Sequence, residues 1–151
     1  MPEFSGSQHA YTCLPGLEYS LVRAVDASCP RNDTASVAAL TDGRLMIVWH
    51  KYLSNERGTS DFGTIEIASR TSADGGRTWG DERILVRPDR TEDLSVQAPA
   101  LRRLESGDLL LMCLHSHRAD GEGELGGSSS SMELFRSRDE GQTFQSVGYL
   151  W

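Results

Sequence analysis

Apolar positions in this chain come in short runs, rich in Val, Ile and Leu and bounded by Gly, Asp and Ser. That is the pattern of strands and turns. The first set is "TASVAAL" (34–40), "RLMIVWHKY" (44–52), "GTIEIASRT" (63–71) and "ERILVRP" (82–88). A "TDG" turn joins the first two, a long polar loop the next two, and "SADGGRTW" the last two. "TIEIAS" alternates as a half-buried strand does, whereas "LMIVW" is apolar throughout, as expected of a strand covered on both faces. A second set follows: "PALRRLE" (99–105), "DLLLMCLHSH" (108–117), "SMELFRS" (131–137) and "QSVGYLW" (145–151). "LLLMCL" is again continuous and predicts a second doubly covered strand. The one long helix-tolerant stretch, "PALRRLESGDLLL", is broken by Ser106 and Gly107. "LEYSLVRAV" (17–25) reads as one further strand.

The two sets are copies of one unit. Gly43 in "LTDGRLMIVW" and Gly107 in "LESGDLLLMC" lie 64 residues apart, and Asp74 and Asp139 lie 65 apart. Two separate landmarks at nearly one offset indicate a duplication. Tandem units of four antiparallel strands are the pattern of β-propeller blades. The predicted organisation is an N-terminal tail (1–16), an extra strand and connection (17–33), one blade over 34–97 and a second over 98–151. Two blades alone would leave apolar faces uncovered, so a longer propeller is expected, with Trp151 falling on the last strand of the second blade.

The turn between the third and fourth strands is itself repeated. Ser72, Asp74, Gly76, Thr78 and Trp79 recur as Ser137, Asp139, Gly141, Thr143 and Phe144. Ser and Asp oxygens can take backbone N–H groups that the ladder releases, Gly accepts positive φ, and the aromatic fills apolar space between layers. A catalytic Ser–Asp pair fits poorly, because neither copy has a His partner and a nucleophile need not be duplicated. Ser-x-Asp-x-Gly-x-Thr-Trp resembles the Asp-box, or bacterial neuraminidase repeat, of the sialidase superfamily. "SVAALTDGRLMIVW", a loop containing Asp61, and "IEIASRTSADGGRTWG" are similar to the first repeat of such enzymes. The resemblance implies a sialidase-like propeller, six-bladed in the full protein. It implies an exo-α-sialidase-like glycoside hydrolase acting on terminal sugars, of which these two blades alone would be inactive. The alternatives are an Asp-box propeller that only binds glycans or proteins, and a glycosidase for another sugar.

Composition narrows the partners. Net charge is −7 and the pI is about 5.0, which argues against a broad nucleic-acid or anionic-membrane surface. Lys51 is the single lysine beside fourteen arginines; base composition and carboxylate recognition by Arg both explain this. Cys13, Cys29 and Cys113 have no metal-ligand spacing and form no disulfide framework; Cys113 reads as a core residue. No signal peptide or membrane-length apolar run is visible. "NDT" (32–34) fits a glycosylation acceptor that matters only in a eukaryotic secretory pathway. No cofactor is expected, the expected partner is carbohydrate, with sialylated glycans among the candidates, and compartment and oligomeric state stay open.

Strand alternation puts the repeated turns on one face and the long loops, 50–63, 87–97 and 115–131, on the other, where function is expected. The sialidase-like pattern puts its acid–base aspartate in the first of these loops, which selects Asp61. It opens the first blade with Arg-Ile-Pro, whose Arg grips the sugar carboxylate; here the text is "CPRNDTASV". The motif's Arg would fall on Asp33, with Arg31 two residues early. The remaining arginines and the Tyr–Glu nucleophile pair would lie in later blades. His115 and His117 alternate on one strand, and His50, Lys51 and Tyr52 occupy the equivalent strand end in the first blade. His50, Lys51, His115 and His117 are therefore candidates for contacting sugar hydroxyls. No third ligand makes the histidines a metal site, and "DGEGELGGSSSS" (120–131) lacks a Ca²⁺-loop register.

Overall fold

The computed structural model describes residues 15–54, 61, 63–88, 93–117 and 130–150, without the side chains of 93, 94 and 117. These residues form eight strands and no helix. They are β1 (Arg31–Ala39), β2 (Leu45–Tyr52), β3 (Ile65–Ser72), β4 (Arg83–Val86), β5 (Asp93–Arg103), β6 (Leu109–His117), β7 (Ser130–Ser137) and β8 (Gln145–Leu150). Two antiparallel four-stranded sheets result, ordered β1-β2-β3-β4 and β5-β6-β7-β8. Their registers repeat: Leu45 faces Ser72 in the first sheet, and Leu109 faces Ser137 in the second.

The sheets share one apolar layer. Met46, Val48 and Ile67 of the first pack with Leu101, Leu109, Leu111 and Cys113 of the second. Each large aliphatic side chain buried there contributes about 1.5–3 kcal/mol relative to exposure. Polar pins fix the packing angle. The Leu101 N–H donates to Ser36 Oγ at 3.0 Å, and Arg103 Nη2 donates to the Ala39 carbonyl at 2.9 Å. On the other side of the first sheet, Ile47, Trp49 and Ala68 form a smaller cluster with Val22, Trp79 and Ile84.

Both repeated turns close by the same bonds. In the first, Ser72 Oγ accepts from Gly76 N at 2.8 Å and donates to Asp74 Oδ1 at 2.7 Å. Asp74 accepts from Thr78 N at 2.9 Å and Thr78 Oγ1 at 2.6 Å. The distances for Ser137, Asp139, Gly141 and Thr143 are 2.8, 2.8, 2.9 and 2.6 Å. These bonds hold the Asp74 carboxyl well below the ordinary carboxylate range and Asp139 at about 2. Ser72 and Ser137 are buried, so each is consumed by the turn it builds.

Several expectations need correction. Residues 17–25 pair with neither sheet. Glu18, Ser20 and Arg23 interrupt the apolar run, and the segment is held by side chains instead: Val22 packs on the smaller cluster, and Ser20 Oγ accepts from Trp79 Nε1 at 3.2 Å. Trp79 packs on this side of the first sheet with Ile47 and Trp49, and its counterpart Phe144 packs on the equivalent side of the second sheet, which is the layer the two sheets share. β2 is covered on both faces, but β6 alternates: Leu109, Leu111 and Cys113 are buried, while Leu110, Met112 and Leu114 are half-buried, having no second sheet over them among the described residues. Finally, β1 starts at Arg31 rather than Thr34, and β5 at Asp93 rather than near 98. Each continues through a β-bulge, centred on Thr34 (φ +43°) and Ala98 (φ +49°), where a plain pattern reading ends the strand.

Candidate functional site

The bulge in β1 decides which side chains meet at the end of the first sheet. Above it, Ser36 and Ala38 pair with Val48 and Met46 and face the second sheet. An unbulged strand would turn Asp33 to the opposite side. The extra residue, Thr34, restores the phase, so Asp33 pairs with His50 and Arg31 with Tyr52, all on the side of Val48. Arg31, two residues before the position the motif predicts, therefore shares a face with that position and sits one step nearer the strand end.

Asp61, from the loop between β2 and β3, completes the group. Its Oδ1 accepts from Tyr52 Oη at 2.9 Å and lies 3.0 Å from Arg31 Nη1. Arg31 Nη2 lies 2.5 Å from Asp33 Oδ2, and its guanidinium carbon sits 4.2 Å from the Tyr52 ring centroid. Asp33 Oδ1 lies 2.9 Å from His50 Nδ1. His50 Nε2 accepts the backbone N–H of Ala98 on β5, which puts the ring proton on Nδ1, donated to Asp33. Burial pushes the His50 pKa down against the pull of Asp33, so the ring is neutral at pH 7. Burial and the bond to Asp61 raise the Tyr52 phenol, which stays a donor. The Tyr52 bond and then the Arg31 charge lower Asp61, whose side chain is 65% exposed. The group thus carries one cation, two carboxylates and a neutral imidazole.

The other candidates lie apart from it. Lys51 projects to the opposite side of the sheet from His50, where Nζ lies 2.5 Å from Glu82 Oε1. His115 is buried in the second sheet, its Nε2 2.9 Å from Glu133 Oε2, and its ring meets Tyr149 edge-on at 6.3 Å. His117 ends β6, but its side chain lies outside the described residues. The two strand ends are equivalent as expected, but the histidines do not match residue for residue. Because Leu45 corresponds to Leu109, the register partner of His50 in the second unit is Leu114, and that of His115 is Lys51. Among the described residues no three His, Cys, Asp or Glu side chains gather as a metal site.

Ser95 and Gln97 are site residues that the sequence does not single out, and Asp33 and Tyr52, marked there only by position, join the site through their side chains. Gln97 Nε2 donates to the Asp61 carbonyl and to Ser95 Oγ, each at 2.7 Å. Arg31, Asp33, His50 and Tyr52 were visible as two polar pairs at i and i+2, but only the ladder shows that the pairs face each other.

No family model and no curated protein matches this chain. Solved structures share its fold, three of them as follows. A protein of unknown function from Dyadobacter fermentans DSM 18053 is 18% identical with a TM-score of 0.69, over 91% of this chain and 41% of that one. The Hadza microbial sialidase Hz136 is 19% identical with a TM-score of 0.60, over 78% of this chain and 25% of its own. Zg3597, a family 117 glycoside hydrolase of the marine bacterium Zobellia galactanivorans, is 21% identical with a TM-score of 0.61, over 98% and 46%. The chain spans less than half the length of each. At these identities the likeness is one of fold, and it is a fold used by a sialidase and by another glycoside hydrolase.

Proposed function

We propose that this chain carries the acid–base part of a glycoside hydrolase site, within a sialidase-like propeller whose blades it marks with two Asp-boxes. The observation that carries the reading is the Asp61 carboxylate, presented at the loop end of the first sheet between Tyr52 Oη and Arg31 Nη1. In the free protein Asp61 is ionised. A sugar ring laid over it would strip away water and push its pKa up, which is what protonating a leaving group requires. Arg31 anchors Asp61 and grips a substrate carboxylate if the substrate is a sialoside. His50 stays behind them as a positioning group. The Asp-boxes, on the opposite face, are construction.

A second reading, a propeller that binds glycans without cleaving them, draws on the same geometry. Both terminal nitrogens of Arg31 are already engaged by carboxylates, and Asp61 is held on the ionised side. The natural protein that carries this sequence separates the two. Release of fluorophore from an aryl α-sialoside or from neutral aryl glycosides supports the hydrolase. Retention on immobilised glycans with no release from any substrate selects the binding module.

A further inference from the structure

We propose that the bulge of β5 is the positioning element of the neighbouring sheet's site: Gln97 holds the Asp61 main chain in place while the Ala98 N–H fixes His50. This rests on the reading of Asp61 as the reactive carboxylate.

The geometry is a closed circuit. Ala98, at φ +49°, turns its N–H out of the β5 ladder to His50 Nε2. His50 passes the constraint to Asp33, Asp33 to Arg31, and Arg31 to Asp61. Gln97, one residue before Ala98, returns to Asp61 from the other side through the main-chain carbonyl at 2.7 Å. Its amide is not free to swing, because the second N–H is taken at 2.7 Å by Ser95 Oγ, and Ser95 is 1% exposed. One bulge in the second sheet thus grips both ends of a chain of contacts in the first.

The duplication shows why this residue is a glutamine. Gln97 occupies in the second unit the place that Asp33 occupies in the first: each precedes its bulge residue, and their ladder partners are Leu114 and His50. An aspartate at 97 would add a third carboxylate to the group and offer no donor to the Asp61 carbonyl. Glutamine supplies the donor and adds no charge.

The test is a carboxyl-¹³C NMR titration of the ligand-free natural protein that carries this sequence, with Gln97→Met compared with wild type. Among the described residues, the charged or titratable groups around Asp61 are Arg31 and Asp33 from β1 and His50 and Tyr52 from β2. Gln97 is uncharged, so a change in the Asp61 midpoint reports a change of position. The expected result is that the Asp61 midpoint rises toward the ordinary carboxylate range as Tyr52 and Arg31 lose it. His50 keeps its Nδ1–H tautomer, read from ¹⁵N shifts, because the Ala98 N–H remains. Ser95→Ala, which only frees the amide, gives a smaller rise and substitutes if Gln97→Met does not fold. An unmoved Asp61 midpoint in a folded variant overturns the positioning role. Since no substrate is involved, that outcome leaves the hydrolase reading standing, whereas undiminished hydrolysis by Asp61→Asn would remove the reading and leave the titration result.

Discussion

Gly141 and Gly76 occupy the same position in the two repeated turns, yet alanine at each meets different surroundings. Both are left-handed, at φ +78° and +89°, a conformation that costs an L-residue about 1–2 kcal/mol. A Cβ on Gly76 would lie 3.5 Å from the Trp79 ring, an ordinary contact. A Cβ on Gly141 would lie 2.5 Å from Met46 Sδ and 3.3 Å from its Cε. Met46 is 1% exposed in the layer between the sheets and has little room to yield. Overpacking of this kind adds about 1–3 kcal/mol. Gly76→Ala should therefore cost about 1–2 kcal/mol and Gly141→Ala about 2–5 kcal/mol. Urea unfolding followed by tryptophan fluorescence measures both, and in a Met46→Ala background the cost of Gly141→Ala should shrink, as coupled neighbours do. Equal costs at the two glycines, or no coupling to Met46, would refute the placement of the second turn against the first sheet.

Ser137→Ala leaves the Gly141 N–H without its acceptor at a buried position, and the urea midpoint should fall by the equivalent of about 1–3 kcal/mol. Acid should destabilise the fold through Glu140, which two Arg103 bonds and the Thr41 N–H hold at about 2 against an ordinary 4.5. Its folded-state value is depressed, so its contribution is complete above pH 4.5 and is lost toward pH 2; a midpoint flat from neutrality down to that range and falling below it agrees, and Glu140→Gln should soften the fall. Burial pushes the Cys113 thiol up to about 12, so mass spectrometry should find it unmodified by iodoacetamide in the folded chain and alkylated in urea.

The fold was largely legible because two signals agreed. Short runs rich in Val, Ile and Leu located the strands, and an offset of 64–65 residues fixed their grouping into fours, which the two separate sheets bear out. The failures have physical causes. The run at 17–25 has the composition of a strand, but strand identity is settled by a partner's edge, and among the described residues neither sheet offers one. The bulges at Thr34 and Ala98 were invisible because their positive φ leaves no residue signature; glycine, which would have marked it, is absent from both. Missing the bulges meant losing the phase of Arg31 and Asp33, and with it the pairing to Tyr52 and His50. Asp61 was reached through family resemblance; nothing in its local sequence predicts the Tyr52 and Gln97 contacts.

The measurement that bears most directly on the central claim is the initial rate of aryl glycoside hydrolysis by the natural protein and its Asp61→Asn variant. Stability and the Tyr52–Arg31 packing should be little changed, since asparagine keeps an oxygen for both. General acid–base assistance contributes about 10²–10⁴-fold, so kcat/KM should fall by that factor on substrates with poor leaving groups and by less where the leaving group needs no proton. Equal rates for wild type and variant on every substrate cleaved would contradict the account.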